Sequence, residues 1–491
     1  MNVLFIDPPS LEGLVVEKAG EKRLPTPNMG IVYIASYLKL KTEACMLILD
    51  AAAERITSRS VTDIIKDFDP SLVCISSKTF NILSTYKYAK LVKNIVPQAI
   101  VLVGGAHSTA LPEHTLHECP DIDAVVMREG EDTVLEVYSR IKGGYSIAPD
   151  AFENVAGIVW RNPSGRIIHN KERDLIADLD SLPFPDLSLV DYKKYRRVYN
   201  PNKHRFQHIY SVFSSRGCPF QCTFCMPLLT RKRRARSIEN VLDEIDLLHR
   251  RYGTQRVYFE DSLFCSRREW FEMFCEEYSR RGLYKKVQWG FETRIDTVDS
   301  TVFQQAKQAG CIYAFFGVES GSEEVLRRAN KAYSKDAIVE RIAAAKRAGI
   351  DQVNMSIILG LPYETRETIE ETLCLIEEAP CDNAGINILD IYPGTAVFEM
   401  ADKGEGGLRW IEGKRMNWSV YSREEPMVEV NDVNAAHLIA SRNRALSIVT
   451  KKSRKNTLRL NLKRLAYIKE LLNEDRAKLV KDIVETCRGR K

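Results

Sequence analysis

The segment SSRGCPFQCTFC, residues 214–225, sets Cys218, Cys222 and Cys225 within eight residues of one another. Thiolates are soft ligands that suit iron and zinc. A structural zinc ion takes four protein ligands, and no second CxxC pair or HxxxH lies nearby to complete such a set. Three cysteines instead match three corners of a cubane iron–sulfur cluster, [4Fe–4S], and leave its fourth iron free for another ligand. Zinc and plain structural or redox thiols are the alternatives to a cluster here.

The rest of the chain bounds where such chemistry can sit. Its 491 residues suffice for two or three domains, each with its own core. With 44% hydrophobic and 28% charged residues, and no apolar run long enough to cross a bilayer, the composition is that of a globular protein without a membrane span. MNVLFIDPPS opens on a strand-like, acid-bearing segment and not on an export signal. The 12 cysteines are scattered apart from the one tight group, which fits a thiol-preserving, cytoplasmic setting. Residues 451–491 carry 14 Lys/Arg against 5 Asp/Glu. That excess reads first as solvated helix faces and second as a surface for an acidic partner.

NVLFIDPP, CMLILDAA, LVCISSKT, IVLVGGAH and DAVVMREG read as parallel strands of an open α/β sheet over residues 1–140. Asn28 is placed to cap a helix beginning NMGIVYIASYLKL. Ligands of such sheets bind beyond the carboxyl ends of the strands. The candidate ligand residues there are Asp7, Pro8, Ser76, Ser77, Lys78, Gly104, Gly105, His107, Glu129 and Gly130. The turn after the first strand is DPPSLEG and not G-x-G-x-x-G, which argues against NAD or FAD. His107 is weighed as a structural or hydrogen-bonding residue ahead of a metal ligand. Residues 141–205 read as a connector with a hairpin around Asn162, Pro163 and Gly165.

Beyond residue 205 strands and helices alternate. HIYSVFSS, QRVYFED, KVQWGFET, CIYAFFGVE, QVNMSIILG and AGINILDIY are the strands of a partial (β/α)6 barrel over residues 206–400, with Ser237 as one helix N-cap. The three cysteines follow its first strand, on the face where barrels carry out chemistry. Residues 401–491 are expected to be helical and basic, with an apolar stripe at Leu458, Leu462, Leu465, Ile468 and Leu472.

The CxxxCxxC loop in this barrel resembles the radical S-adenosylmethionine (SAM) superfamily, and the preceding α/β domain resembles its cobalamin-binding methyltransferase branch. YFEDSLF, WGFETRID, GVESGSEEVLRRANK, GLPYETRETIEE and IYPGT are similar, in order, to later strand signatures of that branch. PTPNMGIVYIASYLK, MLILDAA, VGGAHSTALPE and REGEDTVLE carry the likeness of the first domain. The resemblance implies that the open iron takes SAM, with Phe224 near adenine and Glu292, Arg294, Glu319 and Ser320 around the donor. Arg294 is the candidate for the methionyl carboxylate, while Asp261 and Tyr392 are candidates to face substrate. It implies cobalamin too. The D-x-H-x-x-G loop that supplies a histidine beneath cobalt is absent, so a base-off cofactor without that ligand is expected.

The activity so implied is methylation of an unactivated sp3 carbon, using a low-potential electron donor such as ferredoxin or flavodoxin. Members of the branch methylate active-site residues of methyl-coenzyme M reductase, which makes a peptide or protein substrate an expectation. An anaerobic oxidative cyclase or rearrangement enzyme is the alternative. RKRRAR at 231–236 and the basic tail raise an RNA-modifying reading, and the lack of an RNA-binding module argues against nucleic acid.

Overall fold

The structure, a computed structural model, describes residues 1–9, 26–54, 58–144, 151–192, 195, 197–200, 205–226, 231–421 and 425–453. The apolar stripe expected at 458–472 lies outside the described residues, as do residues 10–13 of DPPSLEG.

The five apolar segments of the first domain form β1 (Asn2–Asp7), β2 (Cys45–Asp50), β3 (Leu72–Ser76), β4 (Ile100–Gly104) and β5 (Ala124–Val126). They pair in parallel in the order β2-β1-β3-β4-β5. Val3, Leu4, Phe5 and Ile6 are all fully buried, as expected for a strand covered on both faces. Strand order reverses between β1 and β3, which opens a crevice at their carboxyl ends.

Asn28 caps α1 (Met29–Lys41), its side-chain oxygen accepting from Ile31 N at 3.4 Å. Its amide Nδ2 donates to Asp7 Oδ1 at 2.8 Å and to Ser76 Oγ at 2.9 Å. One residue thus fixes the helix start to both strand ends at the crevice. The hairpin expected around Gly165 is present as β6 (Ile158–Arg161) and β7 (Ile167–His169). It pairs antiparallel onto β5 and continues the first sheet.

The second sheet holds β8 (Tyr210–Val212), β9 (Arg256–Phe259), β10 (Gln288–Arg294), β11 (Cys311–Glu319), β12 (Gln352–Leu359) and β13 (Asn383–Ile388). All five pairings are parallel and follow chain order, which gives the expected partial barrel. Ser237 caps its helix as expected, accepting from Asn240 N at 3.1 Å, and Asp299 caps a later one, accepting from Val302 N at 3.0 Å. Phe259, Phe264, Phe274, Trp289 and Phe291 are fully buried in a continuous aromatic core behind the first strands. Each such ring contributes about 1.5–3 kcal/mol by leaving water.

The C-terminal region is not helical throughout. Leu408–Trp410 and Val428–Val430 pair as antiparallel strands before a helix at 435–453. Between them the chain returns to the first domain, where Trp418 Nε1 donates to both carboxylate oxygens of Glu118, at 3.0 and 2.9 Å.

Candidate functional site

A short antiparallel pair, Ser215–Arg216 with Arg234–Ala235, closes the base of the loop that carries the cysteines. Both arginines of that base reach into the first domain. Arg216 Nη1 donates to Glu129 Oε1 at 3.0 Å and Nη2 to Glu131 Oε1 at 2.6 Å. Arg234 donates to both oxygens of Glu129 at 2.9 Å. Burial disfavours the Glu129 carboxylate, but the arginines outweigh it and hold the group below its ordinary range.

This tie brings the cysteine loop against the carboxyl ends of the first sheet, and a cavity of about 490 Å³ lies between them. Gly105, Ala106, Thr109 and Arg128 line it from the first domain. Cys218, Cys222, Cys225, Phe220 and Phe224 line it from the loop, and Glu292, Arg294, Phe315, Gly317, Glu319 and Lys331 from the barrel.

Gly105 has φ +118°, and a Cβ there would stand 2.5 Å from Ser77 O. Only glycine fits this backbone, which packs directly on Ser77.

The three thiols, all lining the cavity, suit the thiolate sites of a cubane cluster. Burial pushes the Cys225 thiol up to about 11, with Cys222 and Cys218 adding to the effect, and burial raises Cys218 too. Crowded thiols of this kind need a cationic partner to ionise together. Among the described residues no three His, Cys, Asp or Glu side chains converge to hold one metal ion. A cubane does not require convergence, because each thiolate meets a different iron.

Arg294 is 7% exposed and sits against the loop: its Nη1 donates to Cys222 Sγ at 3.1 Å, and its guanidinium stacks 3.9 Å from the Phe220 centroid. Asp296 accepts from its Nε at 3.0 Å and Nη2 at 2.7 Å. Glu319, at φ +75°, accepts from Lys331 Nζ at 2.7 Å, and that ammonium lies 5.6 Å from the Phe224 ring. Glu292 accepts from Tyr258 OH at 3.4 Å. Burial, then the nearby Glu260 charge, pushes Glu292 up to about 7.

Other candidates have different neighbours. Asp7 and Ser76 are bonded through Asn28, and Pro8 O accepts from Asn81 Nδ2 at 3.0 Å. Ser77 is fully buried against Gly104 O and Ser108 Oγ. Lys78 is exposed beside Phe80, and Gly104 faces Val126. Gly130 starts the helix Glu131–Lys142 and packs on Ile34.

Four more of the candidates have partners within the protein. Glu129 is committed to the two arginines, and Ser320 is buried against Thr372 Oγ1 at 3.1 Å, so neither lines the cavity. Asp261 is fully buried, accepting from Ser214 N at 3.0 Å and Ser214 Oγ at 2.7 Å. Tyr392 packs on Tyr421, with ring centroids 5.5 Å apart, and is absent from the cavity lining.

His107 is packed between Thr79 and Trp418. It is fully buried, its Nδ1 3.3 Å from Thr79 Oγ1 and its ring edge-on to Trp418 at 4.7 Å. Burial and the neighbouring His114 hold its pKa down at about 3. Lys331, Phe220 and Arg128 were not singled out from the sequence. Lys331 closes the quoted segment GVESGSEEVLRRANK, twelve residues after Glu319, which is the signal that could have found it.

Residues 212–376 match the radical SAM superfamily and residues 19–138 match the B12 binding domain. An uncharacterized methyltransferase of Pyrococcus horikoshii is 31% identical over 434 residues, covering 88% of each chain. The chain belongs to the cobalamin-dependent radical SAM methyltransferase family. Within related radical SAM proteins, the anaerobic magnesium-protoporphyrin IX monomethyl ester cyclase of Rubrivivax gelatinosus is 29% identical over 82% of this chain and 71% of its own. The fold matches TsrM, a radical SAM methyltransferase from Kitasatospora setae solved with cobalamin and a [4Fe–4S] cluster. The TM-score is 0.68 at 15% identity, over 92% of this chain and 88% of that one. No helix among the described residues is long and apolar enough to cross a membrane.

Proposed function

We propose that this protein methylates an unactivated sp3 carbon of a peptide or protein, taking hydrogen from that carbon and the methyl group from methylcobalamin. One observation carries the reading. The three-cysteine loop and the bare backbone of Gly105–Ala106 line opposite sides of one cavity. The methyltransferase name of the Pyrococcus horikoshii relative supports methyl transfer as the outcome. When bound, a cluster with an open iron and SAM supplies a 5′-deoxyadenosyl radical, and methylcobalamin supplies methyl.

The chain's own residues hold and separate these groups. Cys218, Cys222 and Cys225 present three thiolates to the cavity. Gly105 and Ala106 offer a wall without bulky side chains to a macrocycle, while Phe220, Phe224 and Phe315 exclude water from the space between. Glu292 can hold a proton near neutral pH within that space. The sequence DPPSLEG lacks the histidine of a D-x-H-x-x-G loop, and on that ground the corrin would be held base-off without a histidine beneath cobalt. The cluster would draw single electrons from ferredoxin or flavodoxin, in a cytoplasm that keeps thiols reduced.

The test is anaerobic reconstitution with iron, sulfide and cobalamin, then turnover of candidate peptides with SAM deuterated in its methyl group. Mass spectrometry is expected to find the deuterated methyl on a peptide carbon. Release of 5′-deoxyadenosine with no methyl transferred to any substrate rejects methylation. The similarity to the magnesium-protoporphyrin cyclase favours an oxidative second reading, for which incorporation of oxygen from labelled water is the mark.

A further inference from the structure

Arg294 is the expected partner of the SAM carboxylate, yet three of its hydrogens are already held within the protein. A guanidinium carries five N–H donors. One from Nε and one from Nη2 go to Asp296, and one from Nη1 goes to Cys222 Sγ. The plane of the group lies 3.9 Å over Phe220, which sits in the loop between Cys218 and Cys222. Tyr333 stands 5.9 Å away on its ring centroid. This arginine is therefore held by the cysteine loop and its own strand end together.

We propose that Arg294 is a positioning residue of the cysteine loop that sets the reduction potential of the cluster held there, and not a clamp for the donor's carboxylate. The inference rests on the function proposed above. Reduction adds one electron to the cluster, supplied by the external donor, with no bond made or broken and no proton moved. The added negative charge spreads onto the sulfurs, Cys222 Sγ among them. A fixed N–H donor and a buried cation beside that sulfur stabilise the reduced state more than the oxidised one, and so raise the potential. Asp296 offsets part of the charge but locks the direction of the donor. With only 7% of Arg294 exposed, water screens the effect weakly.

The test is a redox titration of the reconstituted holoenzyme followed by electron paramagnetic resonance, on wild type, Arg294→Gln and Phe220→Leu, with SAM affinity measured by equilibrium binding. In R294Q the midpoint is expected to move to more negative potential at unchanged iron content, with SAM affinity within about twofold of wild type. F220L keeps the cation but loses the ring that holds it. Its midpoint is expected to move the same way by less, and it decides the matter if R294Q does not fold. An unchanged midpoint in the folded variants overturns the assignment. So does an unchanged midpoint with SAM bound about tenfold more weakly, which makes Arg294 a donor-binding residue instead. A wild type that takes up no cluster removes both this assignment and the proposed function. A loaded wild type with unshifted variants removes this assignment alone.

Discussion

Arg216 Nη2 stands 2.6 Å from Glu131 Oε1, joining the base of the cysteine loop to the first turn of a helix in the other domain. Side-chain exposure is 14% for the arginine and 4% for the glutamate, so solvent does little to screen the pair. Removing one partner of a buried ion pair leaves an uncompensated charge and costs about 3–5 kcal/mol. Arg216→Met is therefore expected to lose stability on that scale in urea unfolding, and R216M/E131Q to recover part of the loss. Because the Glu129 carboxylate is held below its ordinary range, its contribution is fully present above the ordinary carboxylate range and fades as pH falls through the lowered value. The gap between wild type and R216M should accordingly narrow in acid.

Gly105→Ala is expected to weaken cobalamin uptake and destabilise the first domain by about 1–3 kcal/mol, because its φ of +118° and the contact with Ser77 O both exclude a side chain. Gly144 provides the comparison, with φ +96° and nothing within 4 Å of a built Cβ. If the close approach matters, G105A loses corrin per chain in an absorbance measurement while G144A shows backbone strain alone. Equal corrin loading in G105A and wild type is the outcome that removes Gly105 from the binding surface.

Much of this arrangement could be read along the chain because it is local. Apolar runs such as Val3–Ile6 have only one way to be buried on both faces, and Asn28 and Ser237 cap helices that begin at the next residue. The cysteine loop was legible for the same reason. The arginines that Glu129 meets lie 87 and 105 residues away, and nothing in REGEDTVLE distinguishes an acid awaiting a ligand from one awaiting an arginine. Ser320 and Asp261 are alike in this: each follows a barrel strand, and each turns into the protein to meet buried hydroxyl or backbone groups. Position at a strand end predicts the neighbourhood of the site. Which way a side chain turns there depends on packing across the domains.

Cys218→Ala, Cys222→Ala and Cys225→Ala are each expected to lose iron and SAM cleavage with little change in stability, since none of the three is fully buried. Cys275→Ala makes the contrasting control. That thiol is 5% exposed in the aromatic core, where truncation costs about 1–2 kcal/mol while iron content should stay at the wild-type value. Iron analysis and the visible cluster absorption separate the two classes. Full iron retention in all three loop variants would contradict the cluster site.

Glu292 gives the protein a pH signature that can be worked out in sign. Its carboxyl is raised from an ordinary 4.5 to about 7, chiefly by burial, so the folded chain binds a proton there that the unfolded chain has already released. Between those values stability must fall as pH rises, and above the folded value the full cost of burying the charge remains. Glu292→Gln removes that cost. The variant is expected to be more stable than wild type at pH 8, by on the order of 1–3 kcal/mol, with the difference vanishing below about pH 4.5. Urea unfolding of the two chains across this range checks it, and a stability difference that does not change with pH would mean that Glu292 stays ionised in the folded cavity. Turnover adds a second reading: if the neutral acid holds the proton in the reaction, E292Q keeps donor binding but loses the fall in rate that wild type shows as pH rises through 7.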